Sequence, residues 1–313
     1  MSIVNTDTAE VVEHKDMEKR PKYRLTGRQF AMLILLPSLF IVLSFTVFPL
    51  LYSLSVSFSY YSLIDLGRTA FIGLDNYRRA FNDPFFWSGI TKTATMTIGA
   101  ISLQLVFGTA IAFLLNRKFR FQGFTRMILL LPLASAPLAV GLIWRMMYHP
   151  DFGIIPWFVS QLGFQAPNFL GSSSTAMLSI IIFDVWQWTP FVAFIVLAGL
   201  QSLPKEPFEA AAIDGASPLK VFRTLTLPML SQFLLVAFLL RVIDLVRAYD
   251  QIFALTMGGP GTATETLAWY LYRVGFKYLD MGFASSISIV FLYVVVVLSV
   301  VAIKTIMRAR DTY

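Results

Sequence analysis

The sequence predicts an all-α, polytopic membrane protein with six transmembrane helices, and three observations predict it. Of its 313 residues, 57% are hydrophobic and only 14% are charged, with a mean hydropathy of +0.68. Soluble domains carry about 25% charged residues, so this chain has too few to coat a water-facing surface. Its apolar residues fall into runs long enough to cross a bilayer, for which about 20 residues suffice. Its basic residues sit mostly on one side of those runs, as the positive-inside rule requires. This composition excludes a disordered chain, a disulfide scaffold and most soluble enzymes. Without cysteine there is no thiolate metal site and no cysteine nucleophile. The two histidines, His14 and His149, supply little for metal or acid–base chemistry, and no metal site is expected.

Residues 1–28 are polar and mixed in charge, without the apolar core of a cleavable signal peptide. They are expected to form a cytoplasmic tail ending in the basic stretch Lys19 to Arg28. The transmembrane region then covers residues 29–310. Its first apolar run covers about 30–58 and is interrupted by Pro37 and Pro49. The others cover about 91–115, 127–147, 176–200, 229–250 and 283–307, the fifth becoming charged halfway. Six spans place both termini on one side of the membrane. Sixteen of the 25 lysines and arginines lie in the two tails and the 116–126 and 201–228 connections. Arg117, Lys118, Arg120 and Arg126 share one short connection with no acid, which makes that side cytoplasmic. The acids divide evenly between the two sides, so the net charge of +7 arises on the cytoplasmic side and needs no nucleic-acid partner. The outer segment from Gly73 to Trp87 mixes turn residues with aromatics, which fits interfacial anchoring or contact with an external partner.

The most informative connection lies between the fourth and fifth runs. Pro204 and Pro207 suit a helix start, where a missing amide donor costs little. Glu206 and Glu209 in the first turn favour the helix dipole, and Ala210, Ala211 and Ala212 propagate the helix. Gly215 ends it, Ser217 caps a second short helix with Pro218 at its first position, and Pro228 bends the chain toward the membrane. Two short helices exceed what a connection between spans needs. Their small-residue face with an exposed glutamate suits docking into a cleft of another protein.

The spacing of Glu209-Ala210-Ala211, Gly215 and Leu227-Pro228 resembles the signature loop of binding-protein-dependent ABC importer permeases. Leu225 stands where that family more often has isoleucine. Phe71 to Tyr77 and Arg247 to Leu267 are similar to the carbohydrate-uptake branch, of the maltose and glycerol-phosphate type. The resemblance implies a type I ABC importer permease fold and a multi-pass location in the bacterial cytoplasmic membrane. It implies a second, homologous permease, two ATP-binding subunits, an extracytoplasmic solute-binding protein and a carbohydrate substrate. ATP and Mg would be bound by the partner subunits and not by this chain. The residues that would couple to the ATPase are Glu209, Ala210, Ala211, Asp214, Gly215 and Pro228. Within the membrane, the positions implied to face substrate are Trp188, Phe191, Arg241, Asp244, Leu245 and Ala248.

The residues themselves leave that pathway open to two readings. Ionisable groups inside a span face a bundle interior or a wet cavity. Arg241, Asp244 and Arg247 recur at three-residue spacing on one helical face, with Arg241 about 18 Å beyond Met229. Asp184 is a candidate to neutralise one of the arginines. The set either lines a sugar path with Trp188 or forms an internal ion-pair ladder that fixes packing. Likewise the turn-rich outer segment Gly258 to Glu265 is either a plain connection or a docking surface. A membrane enzyme would need paired acids or histidines at one face, and His149 with Asp151 lacks a third partner. A self-sufficient transporter would need more spans or a visible inverted repeat. No phosphate loop of the GxxxxGK type occurs, so ATP must be bound elsewhere.

Overall fold

The computed structural model describes residues 27–65 and 67–311. The tail expected over residues 1–28, with its basic stretch and His14, lies outside the described residues except for Gly27 and Arg28, which already belong to the first helix. The chain divides into two compact units after Tyr52. The helix of the first unit, Gly27–Val42, passes through a π segment, Leu43–Val47, into Phe48–Ser57. Pro37 and Pro49 do not interrupt it. A proline cannot donate to the carbonyl four residues back and presses on it. For Pro49 that carbonyl is Phe45, inside the π segment, where the wider i→i+5 turn makes room.

The second unit takes in the last residues of this helix and continues with a short antiparallel pair, Ser59–Tyr60 with Ala70–Phe71, and the amphipathic helix Asp75–Asn82. Asp83 then caps the helix Pro84–Asn116, its Oδ1 accepting from the Phe85 amide at 2.8 Å, with Pro84 at the first helical position. This second apolar helix therefore starts seven residues before the run at 91. The fourth, Ala176–Ser202, packs along it. The two helices approach closely at Gly108, where a Cβ would lie 2.7 Å from Val192 Cγ1 and 3.1 Å from the Ala193 amide nitrogen.

Two expectations need correction. The run 127–147 is not one straight span: Gln122–Ala134 and Pro137–Met147 meet at a bend of 97°. The ring of Pro137 disfavours helical backbone at Ala136, which adopts φ −64°, ψ 123°. Nor does Ser217 open a separate short helix. Its hydroxyl accepts from the Lys220 amide as expected, but the helix it caps is the fifth apolar helix, Pro218–Val246. The helix continues through Pro228, because a second π segment, Phe222–Thr226, contains Thr224, the carbonyl Pro228 would otherwise clash with.

The fifth helix ends at Val246, and the short helices Asp250–Leu255 and Leu267–Tyr272 follow before the last apolar helix, Met281–Asp311. One buried cluster gathers Met96, Phe183, Leu245, Ile252 and Trp269, and another gathers Ala112, Leu115, Val192, Val196 and Leu230. They lie toward opposite ends of the second, fourth and fifth helices, and the polar cluster described next lies between them in sequence along these helices.

Candidate functional site

Asp184 is fully buried in the fourth helix, and three elements deliver donors to it. Arg241 Nη2 on the fifth helix donates to its Oδ2 at 2.8 Å, and Gln104 Nε2 on the second donates to the same oxygen at 2.7 Å. Gln251 Nε2, on the helix Asp250–Leu255, donates to Oδ1 at 3.0 Å. Arg241 Nε also donates to Gln104 Oε1 at 3.1 Å, closing a ring of three side chains. Its Nη1 donates to Asp244 Oδ2. Charged groups in an apolar interior are tolerated only when paired and hydrogen-bonded in this way. The Arg241 guanidinium also lies over the Trp188 ring, 4.5 Å from its centre, a cation–π contact in a dry setting.

Asp184 thus neutralises Arg241. Arg247 departs from the expected ladder: it sits one residue past the helix end, where its Nε donates to the Ile243 carbonyl at 3.3 Å. The helix also starts eleven residues before Met229, so a depth counted from Met229 does not locate Arg241 in the bilayer.

Beside the cluster opens a cavity of about 300 Å³ whose wall includes Trp188, Asp244 and Ala248, three of the six positions proposed to face substrate. Arg247, Tyr249, Asp250, Gln251 and Pro137 complete it, the last delivered by the bend in the third helix. Arg241 stands behind this wall, buried. Leu245 does not reach the cavity but packs in the core beside Ile252 and Trp269. Phe191 meets Trp188 edge-on at 6.2 Å and turns toward the other core cluster. Sequence reasoning missed Gln104, Gln251 and Tyr249. A glutamine inside an apolar run was the available signal for Gln104.

The second candidate surface is the helix Glu206–Ile213. It ends in a Schellman motif: the Ala216 amide donates to the Ala211 carbonyl at 3.0 Å and the Gly215 amide to that of Ala212 at 3.2 Å, with Gly215 at φ +64°. Glu209, Ala210, Asp214, Gly215 and Pro228 are exposed and Ala211 is half-buried. Glu209 has no ion pair among the described residues, and Ile213 is 87% exposed. A cavity of about 580 Å³ lies between this helix and the ends of its neighbours, with Phe208, Glu209 and Ala212 on one side and Phe113 and Asn116 on the other.

The outer segment Gly258 to Glu265 is less open than its composition suggests. Thr264 and Glu265 are buried, and Glu265 Oε1 lies 2.9 Å from Arg273 Nε. Burial pushes the Glu265 carboxyl above the usual range, while Arg273 and Lys92 pull it back. Within it Gly261 is exposed, as is Met257 just before it. Elsewhere, His149 lies 3.9 Å from Asp151 and stacks on Phe152, and among the described residues no three metal-ligating side chains cluster.

Residues 104–310 match the family of binding-protein-dependent transport system inner membrane components. The chain is 41% identical over 268 residues to a probable ABC transporter permease protein of Sinorhizobium fredii, covering 85% of this chain and 86% of the relative. It is 35% identical over 299 residues to the trehalose/maltose transport system permease protein of Thermococcus litoralis, covering 95% and 99%. Its fold is similar to that of a bacterial ABC transporter involved in import of the acidic polysaccharide alginate, with a TM-score of 0.76 at 20% identity over 89% of this chain and 95% of that one. An all-helical membrane fold, an exposed loop helix and these matches lead to one assignment: the chain belongs to the binding-protein-dependent transport system inner membrane components, the permeases of ABC importers.

Proposed function

We propose that this chain is one permease subunit of an ATP-driven importer that carries a carbohydrate across the bacterial inner membrane. In this reading a solute-binding protein delivers the cargo outside, a second permease completes the path, and two partner subunits bind ATP with Mg and hydrolyse it. The chain itself performs no chemistry. Both termini face the cytoplasm, as the distribution of lysine and arginine requires. The observation that carries the proposal is the helix Glu206–Ile213, which exposes an isoleucine and a glutamate with no ion pair among the described residues, at a loop on the side richest in basic residues. Such a helix is ready for a groove with a basic residue to meet Glu209, and the Gly215 turn fixes its end. Movement of that helix passes directly into the fifth apolar helix, which begins at Pro218 and carries Arg241 and Asp244 beside the cavity. Alternating access follows if ATP and loaded binding protein favour the same outward state. The relative from Thermococcus litoralis supports a sugar as cargo.

Reconstitution of the importer with its partner subunits tests this. Glu209→Lys places a positive charge against the basic groove, so uptake is expected to fall more than about tenfold while the subunit remains inserted. ATP hydrolysis would continue without stimulation by the binding protein. Undiminished uptake by this variant would sink the assignment.

A further inference from the structure

A relative named for trehalose and maltose and a fold-mate named for an acidic polysaccharide differ in the charge of their cargo, so kinship leaves that charge open. The cavity beside Trp188 bears on it. Its wall carries two carboxylates, Asp244 and Asp250, and one guanidinium, Arg247. Arg241 stands behind Asp244 with its charge already matched: Asp184 takes Nη2 and Asp244 takes Nη1. The five groups together hold three negative charges and two positive ones. Arg247, the one guanidinium in the wall, shares it with both acids and directs its Nε to the Ile243 carbonyl.

Hydrogen-bond chemistry points the same way. An ionised carboxylate only accepts, so Asp250, and the acceptor sites of Asp244 that Arg241 leaves free, can take further donors. The hydroxyls of an uncharged sugar or polyol supply them. A phosphate, sulfonate or carboxylate brings further acceptors and a like charge, which the two carboxylates repel, the more so at low salt. The remaining wall is suited to a ring: Trp188 and Tyr249 present aromatic surface, and Ala248 and Pro137 present small apolar groups. At about 300 Å³ the cavity is at the lower bound of small-molecule sites, of a size for one ring and not for a whole oligosaccharide.

We infer that this cavity admits an uncharged polyhydroxylated ring and discriminates against an anionic one, with Asp250 a specificity-determining residue. The inference rests on the carbohydrate path proposed above. If the path is real, the chain is tuned to neutral cargo even though fold-mates handle acidic carbohydrate.

The test uses the assembled permease and ATPase complex in nanodiscs, without binding protein, so that the membrane cavity and not the delivery protein is read. Calorimetric titration compares matched probes: glucose with glucuronate, glycerol with glycerol phosphate, and maltose and trehalose as uncharged disaccharides. The uncharged member of each pair is expected to bind at least about tenfold tighter at low ionic strength, with the gap narrowing at about 1 M salt. Asp250→Asn, at an exposed position in the first turn of the helix Asp250–Leu255, is expected to narrow the gap at least about threefold at low salt by strengthening the anionic probes more than it weakens the uncharged ones. Trp188→Ala is expected to weaken the uncharged probes. Anionic probes binding as tightly as their uncharged partners, or a gap indifferent to Asp250→Asn, would overturn the inference and leave the path intact. Failure of every probe to saturate, or saturation indifferent to Trp188→Ala, would overturn the path reading itself and the inference with it.

Discussion

Around Asp184 two long helices and a short one bring donors onto a single carboxylate, and the guanidinium that answers it is held by four contacts, to Asp184, Asp244, Gln104 and Trp188. On the helix Glu206–Ile213, by contrast, Glu209 has no partner among the described residues and Ile213 is bare. Both regions carry charge, and their difference follows from their surroundings. A charge removed from water costs several kcal/mol unless partners within the chain replace the water, so the buried cluster must be complete in itself. An exposed charge keeps its hydration, so the loop helix can leave Glu209 open at little cost. The closed region fixes the geometry of this subunit. The open one is where another subunit can act on it.

Breaking the closed region should have the largest effect. Asp184→Ala leaves Arg241 buried with only Asp244 and Gln104 to answer it, and leaves Gln104 and Gln251 with idle donors. We expect a loss of about 3–5 kcal/mol, the usual result of removing one partner of a buried pair. Thermal unfolding in detergent, or the fraction that remains monodisperse after mild heating, measures it. A loss below about 1 kcal/mol would mean that water reaches Arg241 and that the cluster is not dry. The double variant Asp184→Leu with Arg241→Met should recover part of the loss, because a matched apolar pair leaves no charge stranded.

The sequence made parts of each region legible, and unevenly so. The loop helix is local: Glu206 and Glu209 in the first turn, the Schellman glycine Gly215 and the Ser217 cap all act on residues within five positions, so type and spacing sufficed. Asp184 and Arg241 were visible because a charge in an apolar run must find a partner. Gln104 and Gln251 were not, since they lie 80 and 67 residues from Asp184 and only tertiary packing joins them. The bend after Ala134 was encoded by Pro137 but hidden by the hydrophobicity of the run, which says nothing about direction. The π segments before Pro49 and Pro228 failed in the opposite sense. Pro49 read as an interruption and Pro228 as a bend, yet one widened turn before each lets the helix continue, and no residue type marks that turn.

A smaller effect is expected at the end of the loop helix. Gly215 sits at φ +64° with no heavy atom within 4 Å of the position a Cβ would take. Gly215→Ala therefore meets no clash and costs only the strain of left-handed backbone, about 1–2 kcal/mol. Because the cost is local, it should appear as faster amide exchange over residues 206–216 before it appears in global unfolding. Protection unchanged there would mean that the turn relaxes without cost and that Gly215 matters only to a docked partner.

The smallest expected effect sharpens the comparison most. Glu209→Ala removes a carboxylate that this chain does not use for any ion pair among the described residues, and the new alanine propagates the helix at least as well. The lost interaction with the helix dipole and the gained propensity nearly cancel, so unfolding of the isolated subunit should change by less than about 0.5 kcal/mol. If the helix docks as proposed, binding to ATP-hydrolysing partners should nonetheless weaken measurably, because there the carboxylate would meet a basic group with part of its water removed. The pairing of a silent effect on stability with a visible effect on assembly separates Glu209 from Asp184, whose loss reverses the order. Equal losses in both assays would place Glu209 among the groups that hold the loop together, and the helix would then be a connector whose acids serve only its own dipole.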